Sequence, residues 1–514
     1  MAKNKTYIYL STDNSYYCFL QARIIAELIK KDAKSRHIII PCFGIRYHQS
    51  SQSKKLPKTL KKALNSLHEF KQERKRLEKC KKHFIHFLGS KTFSSIYFAT
   101  QSRWTFHLAK AYLNINTRIQ LKARHSKKEH FGQVYSQSGI LCGDLCADTF
   151  MRYKPNEKID LDDDFFLKVM IRCNGLIGLY KRLFKQLNPC AIIGSDTTYI
   201  HHGIPHRVGA FLNIPTVTLA GLEENFRLHR NRTAYSQDRQ SQTSYCRDYA
   251  SYSPDRTKQL PKEVILQAET SLQNRLASKY DNTFAYMNKG LSPALDSTQS
   301  CKGRALIMLH DFFDASHIYR WKIFSDFHEW ATETINFGLK HAIPLAIKPH
   351  PAQIPESERV VASLKRKYSQ YSDILWLDKS QRNAELFQTK PQLILSMYGS
   401  VAAEATFAGI PVLLGGDHPG INFNIGYVAN DKEEYFQYLL NYKHAMAGSR
   451  EHAISFTAQH YYNNFTREND SLKSHININE QEWDCYLTYE REDVAAYGQL
   501  IAARLYAQLN QKDV

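Results

Sequence analysis

Two short segments in the second half of the chain combine residue types that suit phosphate binding. The first is Lys348-Pro349-His350-Pro351, which begins at the last residue of a predicted strand over 344–348. Two prolines restrict the backbone, so we expect the Lys348 ammonium and the His350 imidazole to be held in place. A fixed cation and an imidazole suit a phosphate that gains negative charge while a bond to it breaks. The alternative is a rigid turn with a surface lysine and a buried histidine.

The second segment runs from Ser396 through Gly399 and Ser400 to Glu404. Its pattern predicts a strand end, a turn of small residues and a short helix. Gly399 would let the backbone approach a ligand, and Ser400 would cap the helix so that free N–H groups face an anion. Glu404 comes one helical turn later on the same face, where its carboxylate suits the two hydroxyls of a ribose. Small-residue turns before helices are also common without any ligand.

Carboxylates in the first half of the chain are candidates for proton transfer. Asp196 follows the apolar run 191–194, and the end of a parallel strand directs side chains into a cleft. Asp148 lies in a segment that resembles a loop and that also contains Asp144. We expect Asp196 to act as the base, with Asp148, Asp144 and Glu223 as the alternatives. A helix cap is an equally ordinary role for Asp196.

These residues need a scaffold that brings strand ends together. Short runs rich in Ile, Val and Tyr alternate with helical patterns in both halves of the 514-residue chain. The alternation predicts an α/β fold of two doubly wound, Rossmann-like lobes with a cleft between them. The predicted units are an N-terminal lobe over 1–290, a C-terminal lobe over 303–475 after a linker, and a helical segment over 476–514 that could cross back to the first lobe.

Together the two segments resemble the C-terminal lobe of the GT-B glycosyltransferases. The K-P-H-P loop and the later S-x-x-G-S-x-x-x-E-A pattern are most similar to the bacterial capsule and lipopolysaccharide group that includes the Kdo (3-deoxy-manno-octulosonate) transferases. The similarity covers 304–412 and is thin elsewhere. It implies a GT-B fold, a CMP-sugar donor, phosphate contacts from His350 and from Ser396 or Ser400, and a ribose contact from Glu404.

The resemblance implies an enzyme of surface-polysaccharide synthesis that moves an acidic sugar such as Kdo from CMP to a lipid-linked or oligosaccharide acceptor. No cofactor or metal is expected, because release of CMP needs a fixed charge more than a divalent ion. A lysine at the position of Lys348 is also met in CDP-glycerol-type polymerases. A CDP-polyol phosphotransferase or a UDP-sugar transferase therefore stays an alternative. The alternative that is not an enzyme is a basic protein that binds glycan or nucleic acid without catalysis.

The charge of the chain is uneven. There are 69 Lys and Arg against 49 Asp and Glu, and the segment 54–82 alone contains twelve Lys or Arg and three Glu. Leucines and phenylalanines at mostly three- and four-residue steps, or multiples of them, predict a basic amphipathic helical insertion over about 52–84. Such a helix suits an anionic inner-membrane surface, whereas no known motif supports nucleic-acid binding. A solvated helix is the alternative.

The remaining composition argues against several classes of protein. No apolar run approaches the roughly 20 residues that cross a bilayer, and no signal-peptide core is present, which predicts a cytoplasmic protein peripheral to the membrane. The ten cysteines are spread along the chain, which indicates reduced thiols. The pair Cys142 and Cys146 alone is weak evidence for zinc, so we expect buried small residues there.

Overall fold

The computed structural model describes thirteen stretches of the chain and a few residues near its end. These are residues 5–12, 15–42, 74–98, 136, 139–155, 159–194, 197–219, 227–229, 253–277, 279, 300–316, 323–416, 418–462, 499, 502–503 and 505–507. Asp196, Glu223, the basic segment before residue 74 and most of 476–514 lie outside the described residues. Within the described part, no helix is long and apolar enough to span a membrane.

The first lobe is built on a six-stranded sheet whose strands are β1 (Thr6–Ser11), β2 (Arg36–Pro41), β3 (Tyr97–Phe98), β4 (Ala191–Gly194), β5 (Thr216–Thr218) and β6 (Arg227–His229). Their order is β3-β2-β1-β4-β5-β6, and only the edge strand β6 is antiparallel to its neighbour. Side chains of β1 alternate between two apolar clusters: Ile8 faces one and Tyr7 the other. Burial on both faces is typical of a parallel sheet covered by helices.

Helices cover both faces of this sheet. The helix after β1 is amphipathic and ends with Lys30 and Lys31, which suit the negative end of the helix dipole. A further helical segment spans 74–88. The bounded helices are α1 (Ser15–Lys31), α2 (Ser90–Ser94), α3 (Gly143–Tyr153), α4 (Asp164–Leu187) and α5 (Tyr199–Phe211). The sequence had suggested a loop around Asp148, which is wrong, since Asp148 lies within α3.

Two helices, α6 (Pro254–Thr257) and α7 (Lys262–Leu276), follow the first sheet in the chain. The prediction assigned them to the N-terminal lobe, whereas their apolar side chains pack on the second. Val264, Ala268 and Leu272 share a cluster with Phe407 and Phe456. Near the chain end, Ala502 and Leu505 are buried in a first-lobe cluster.

The second lobe repeats the plan of the first. Its strands are β7 (Ala305–Met308), β8 (Leu345–Lys348), β9 (Leu375–Trp376), β10 (Leu393–Ser396), β11 (Val412–Leu414) and β12 (Tyr427–Val428). Their order is β12-β11-β10-β7-β8-β9 and all pairings are parallel. The helices around it are α8 (Phe327–Lys340), α9 (Pro355–Lys367), α10 (Asn383–Gln388), α11 (Val401–Phe407), α12 (Lys432–Leu440) and α13 (Arg450–Thr457).

Numbered from its own first strand, each sheet has the order 3-2-1-4-5-6 of the dinucleotide-binding fold. The predicted α/β architecture of two Rossmann-like lobes is therefore confirmed, and it is the GT-B plan. The carboxyl ends of the two sheets face each other. The Tyr199 hydroxyl, just after β4, donates to Asp314 Oδ1, just after β7, at 3.0 Å. One apolar cluster also contains residues of both lobes, among them Phe150 and Phe312.

Candidate functional site

Lys348 is the last residue of β8 and is buried, with 3% of its surface exposed. Burial disfavours the charged ammonium and lowers the pKa of Lys348 to about 8, although Glu404 and Asp378 act in the opposite direction. No hydrogen bond to its ammonium joins it to another described residue. A buried lysine without a hydrogen-bonded carboxylate is suited to receiving an anion from outside.

His350 lies two residues beyond Lys348, in the predicted rigid loop. Its Nδ1 accepts the N–H of Ala352 at 3.3 Å. Burial lowers the pKa of His350, with Asp311 opposing this and Lys348 adding to it. The imidazole is therefore neutral near pH 7 and can serve as a hydrogen-bond donor through Nε2. Pro351 is exposed at the tip of the loop.

Asp311 ties this loop to the neighbouring strand end. It follows β7, which lies between β8 and β10 in the sheet. Its carboxylate accepts the N–H of Ile354 at 2.8 Å and the hydroxyl of Ser357 at 2.7 Å. These two bonds restrain the loop through Asp311, in addition to the restraint that the two prolines supply.

Ser396 ends β10, and its hydroxyl is used inside the turn that follows. Ser396 Oγ lies 3.2 Å from His310 Nε2 and accepts the N–H of Gly399 at 3.1 Å. His310 Nε2 also accepts the N–H of Met397 at 3.3 Å, so the ring carries its proton on Nδ1. The single Ser396 proton is therefore directed at His310. Of the two serines expected to contact phosphate, Ser396 is the one whose hydroxyl is already hydrogen-bonded within the turn.

Gly399 is held on its other side by a second histidine. His418 is buried and accepts the N–H of Gly420 through Nδ1 at 2.9 Å, while its ring also hydrogen-bonds the Gly399 backbone. Burial lowers the pKa of His418 to about 4, so the ring is neutral. A Cβ on residue 399 would lie 2.9 Å from Ser396 Oγ, closer than side chains approach. A side chain at residue 399 would therefore displace the Ser396 hydroxyl from its hydrogen bonds in the turn.

The sequence did not indicate either histidine. His310 could have been recognised from the sequence, because it comes shortly after the end of a central parallel strand, as His350 does. His418 had none, because it lies eighteen residues beyond the turn in a loop of ordinary composition. Only the packing of that loop against the turn reveals it.

Ser400 and Glu404 depart from their predicted geometry. Ser400 has helical backbone angles, φ −56° and ψ −20°, and its side chain makes no capping hydrogen bond. The predicted serine cap is therefore wrong, because capping needs an extended backbone at that residue. Glu404 is buried and forms a salt bridge with Arg275 of α7, and Asn383 Nδ2 donates to its other oxygen at 3.4 Å. Its carboxylate is already partnered within the chain.

The first lobe presents one described carboxylate to the interface between the lobes. Asp148 is buried, and its Oδ1 accepts the hydroxyl of Ser316 from the second lobe at 3.3 Å. Asp144, an alternative base, is instead bound by both terminal nitrogens of Arg207 at 2.6 Å. A buried bidentate pair of this kind is structural, since removing either partner leaves an uncompensated charge. Asp148 is thus the described carboxylate suited to proton transfer.

Tyr199 lies on the same side of the first lobe, facing the second lobe, and its backbone is strained. Its φ is 57°, in the left-handed region that bulky residues avoid. Such strain collects at functional sites, where surrounding contacts enforce it. Here the hydroxyl binds Asp314, and Arg152 lies 3.9 Å from the same carboxylate. The sequence predicted no role for Tyr199 or Arg152.

Metal ligands were not expected, and among the described residues no group of three or more His, Cys, Asp or Glu could hold an ion. Cys142 and Cys146 are both buried, as expected for small core residues.

No protein-family model matches the chain, and no curated protein matches it. Solved structures that are similar include a UDP-GlcNAc 2-epimerase from Methanocaldococcus jannaschii in complex with UDP-GlcNAc and UDP, at 12% identity over 88% of this chain and 97% of that chain, with a TM-score of 0.28. Spinosyn rhamnosyltransferase SpnG is similar at 13% identity over 89% and 95%, with a TM-score of 0.29. A glycosyltransferase from Rickettsia africae ESF-5 is similar at 10% identity over 100% of both chains, with a TM-score of 0.27. At such low scores these similarities decide nothing about this chain, whose fold class follows from its strand order.

Proposed function

We propose that the chain is a glycosyltransferase that uses a nucleotide-sugar donor, with a CMP-activated acidic sugar such as Kdo as the expected donor, in the synthesis of a surface polysaccharide. The observation that supports this most is the buried ammonium of Lys348, next to His350, on the sheet edge that meets the first lobe. A buried cation at the carboxyl end of a Rossmann strand suits a phosphate ligand.

In this proposal the phosphate of the donor lies against Lys348 and His350. As the bond between the anomeric carbon and the phosphate oxygen breaks, the electron pair stays on that oxygen and CMP gains charge. Lys348 stabilises this charge more strongly than in water, because its site is largely dry. The turn held by His310 and His418 places the N–H groups that begin α11 near the same edge. The proposal requires no metal and no other cofactor.

The acceptor hydroxyl must lose a proton to a base on the first-lobe side. Asp148 fits this role among the described carboxylates, and Asp196 stays the residue that the sequence favours. In an inverting reaction the base removes the proton while the acceptor oxygen attacks the anomeric carbon. In a retaining reaction a carboxylate would first form a covalent glycosyl-enzyme intermediate.

The membrane partner is part of the same proposal. Exposed side chains on the described part of the basic helix include Lys75, Lys81 and Lys82, which support contact with an anionic surface. Changing Lys54, Lys55, Lys58, Lys61 and Lys62 to Gln should release the protein from vesicles of anionic lipid. Activity on a soluble acceptor should stay unchanged, because the chemistry does not involve the lipid. Vesicle binding that survives the change would argue for a solvated helix.

The deciding experiment measures release of CMP from CMP-Kdo with and without a glycan acceptor, after a panel of CMP, CDP and UDP has been ranked by thermal stabilisation. We expect CMP to stabilise most and CMP release to need the acceptor. Preference for UDP, or conversion of UDP-GlcNAc without an acceptor, would favour a UDP-sugar transferase or an epimerase. Glycan binding without turnover of any donor would favour the non-catalytic alternative.

A further inference from the structure

The turn after β10 makes one contact that phosphate binding does not explain. Tyr398 lies in this turn, between Met397 and Gly399, and its side chain is buried. Its hydroxyl donates to the backbone oxygen of Ser316 at 2.8 Å. Ser316 belongs to the segment that follows β7, the strand beside β10 in the sheet. The hydrogen bond therefore joins the segments that follow two neighbouring strands.

The side chain of Ser316 contacts the first lobe. Its Oγ donates to Asp148 Oδ1 of α3 at 3.3 Å, and both residues are buried. A serine hydroxyl has one proton, so this donation fixes the direction of the O–H bond. Because Tyr398 holds the backbone of Ser316, the hydroxyl is presented to the carboxylate from a fixed point. Two consecutive hydrogen bonds thus connect Asp148 to the turn of the second lobe.

The ring of Tyr398 is itself held by aromatic neighbours. Its centroid lies 5.2 Å from that of His310 and 5.6 Å from that of Phe327. His310 also accepts the N–H of Met397, the residue before Tyr398. Hydrogen bonds in such a buried site are stronger than in water. The same turn therefore borders the proposed phosphate site and, through Ser316, restrains a carboxylate of the other lobe.

We propose that Tyr398 and Ser316 are positioning residues that hold the carboxylate of Asp148 in place for the acceptor hydroxyl. This role rests on the proposed function, with Asp148 as the base. A carboxylate has lone pairs on two oxygens, so Asp148 can keep the hydrogen bond from Ser316 while it accepts a proton. The lobe that binds the donor thereby also aligns the base of the first lobe.

The test compares kcat, the KM for the donor and the affinity for CMP in the full chain and in three variants: Ser316→Ala, Tyr398→Phe and the double variant. The substrates are CMP-Kdo and a glycan acceptor, or the donor that the nucleotide panel selects. Ser316→Ala should lower kcat about tenfold and Tyr398→Phe several-fold, because small displacements of a reacting group are costly in rate. The donor KM and the CMP affinity should stay unchanged, since neither residue contacts the donor in this proposal.

The double variant distinguishes a linked pair from two separate effects. If Tyr398 acts through the Ser316 hydroxyl, the double variant should match Ser316→Ala, whereas independent losses would multiply. Tyr368→Phe is the matched control, because Tyr368 is buried in the same lobe and its hydroxyl donates to Asn336 Oδ1 at 2.9 Å. Tyr368 directly follows α9, which runs from the end of β8 back to the start of the parallel strand β9, at the opposite edge of the sheet. Its variant should keep the wild-type kcat.

Four results would overturn the positioning role: an unchanged kcat in Tyr398→Phe, losses that multiply in the double variant, a CMP affinity that falls together with kcat, or an equal loss in Tyr368→Phe. Full transfer by Asp148→Asn would do the same, because the carboxylate that these residues hold would not be the base. The proposed function survives each of these results, since it requires only that the wild type transfers sugar. If the wild type transfers sugar from no nucleotide donor, the proposed function fails and the positioning role fails with it.

Discussion

The facing edges of the two lobes are built in different ways. On the second lobe, the loop after β8 and the turn after β10 are fixed by bonds within that lobe, from Asp311, His310 and His418. On the first lobe, Ile200 N–H donates to Thr149 Oγ1 within the lobe, and Asp148 and Tyr199 also make contacts with Ser316 and Asp314 of the other lobe. The described bonds that fix the second-lobe edge, the donor edge of the proposal, thus lie within one lobe, whereas the first-lobe edge, its acceptor edge, also depends on contacts across the lobes.

Under the proposed function, this difference suits the two edges to different tasks. A leaving phosphate is best stabilised by groups that do not move during the reaction, which a self-contained loop provides. A base is needed only when donor and acceptor are both present, and contacts across the lobes couple its position to their approach. Changes in the loop after β8 should therefore affect nucleotide binding and chemistry together, and changes on the first lobe should affect chemistry alone.

The largest expected effect separates the two edges most clearly. Asp148→Asn should reduce sugar transfer by about 10³-fold, because the acceptor hydroxyl loses its base, while CMP affinity stays unchanged. Steady-state kinetics and CMP titration measure the two quantities. Asp160→Asn, at an exposed position nearby, is the matched control. Full transfer by Asp148→Asn would move the role to Asp196, whose Asn variant is measured in parallel.

The next effect concerns the loop of the donor edge. His350→Ala should slow transfer by about 10²-fold, because a positioned donor to the leaving phosphate is lost. The melting temperature should change little, since His350 makes only one described hydrogen bond, to Ala352. His444→Ala, an exposed histidine of the same lobe, serves as the control. An active, folded His350→Ala protein would end the assignment of His350 to the phosphate.

A smaller effect tests whether Glu404 serves the nucleotide or only the fold. Glu404→Gln should weaken nucleotide binding by about 1–3 kcal/mol through lost ribose contacts. It should also lower the free energy of unfolding by about 3–5 kcal/mol, because Arg275 is left buried without its carboxylate. The double change Glu404→Leu with Arg275→Met should restore stability but not affinity. If affinity returns as well, Glu404 is a structural residue.

The smallest effect is a pH dependence confined to the donor edge. Because the pKa of Lys348 is about 8, its ammonium is present below pH 8 and is lost as the pH rises through that value. CMP binding favours the charged form, so its affinity should fall about tenfold between pH 7 and pH 9. Cytidine, which lacks the phosphate, should bind equally across this range. An affinity for CMP that is equally flat would contradict contact between Lys348 and the phosphate.

Much of the second lobe could be predicted because its pattern is local. Lys348 and His350 occupy one loop, and Ser396, Gly399 and Ser400 occupy one turn, so strand ends and short spacings were enough to place them at the ends of β8 and β10. The details that failed were those set by neighbours distant in the sequence. Arg275 reaches Glu404 from α7, and His418 reaches Gly399 from a later loop.

The sequence by itself determined the alternation of strands and helices, and hence two Rossmann-like lobes, because the period of apolar residues reflects burial on each side of a strand or helix. Only the tertiary structure decided that Asp148 lies on a helix facing Ser316, that Asp144 is neutralised by Arg207, and that α7 packs on the second lobe. The physical reason is that an ion pair or a packed face depends on distances in space. Local pattern constrains those distances only within a few residues along the chain.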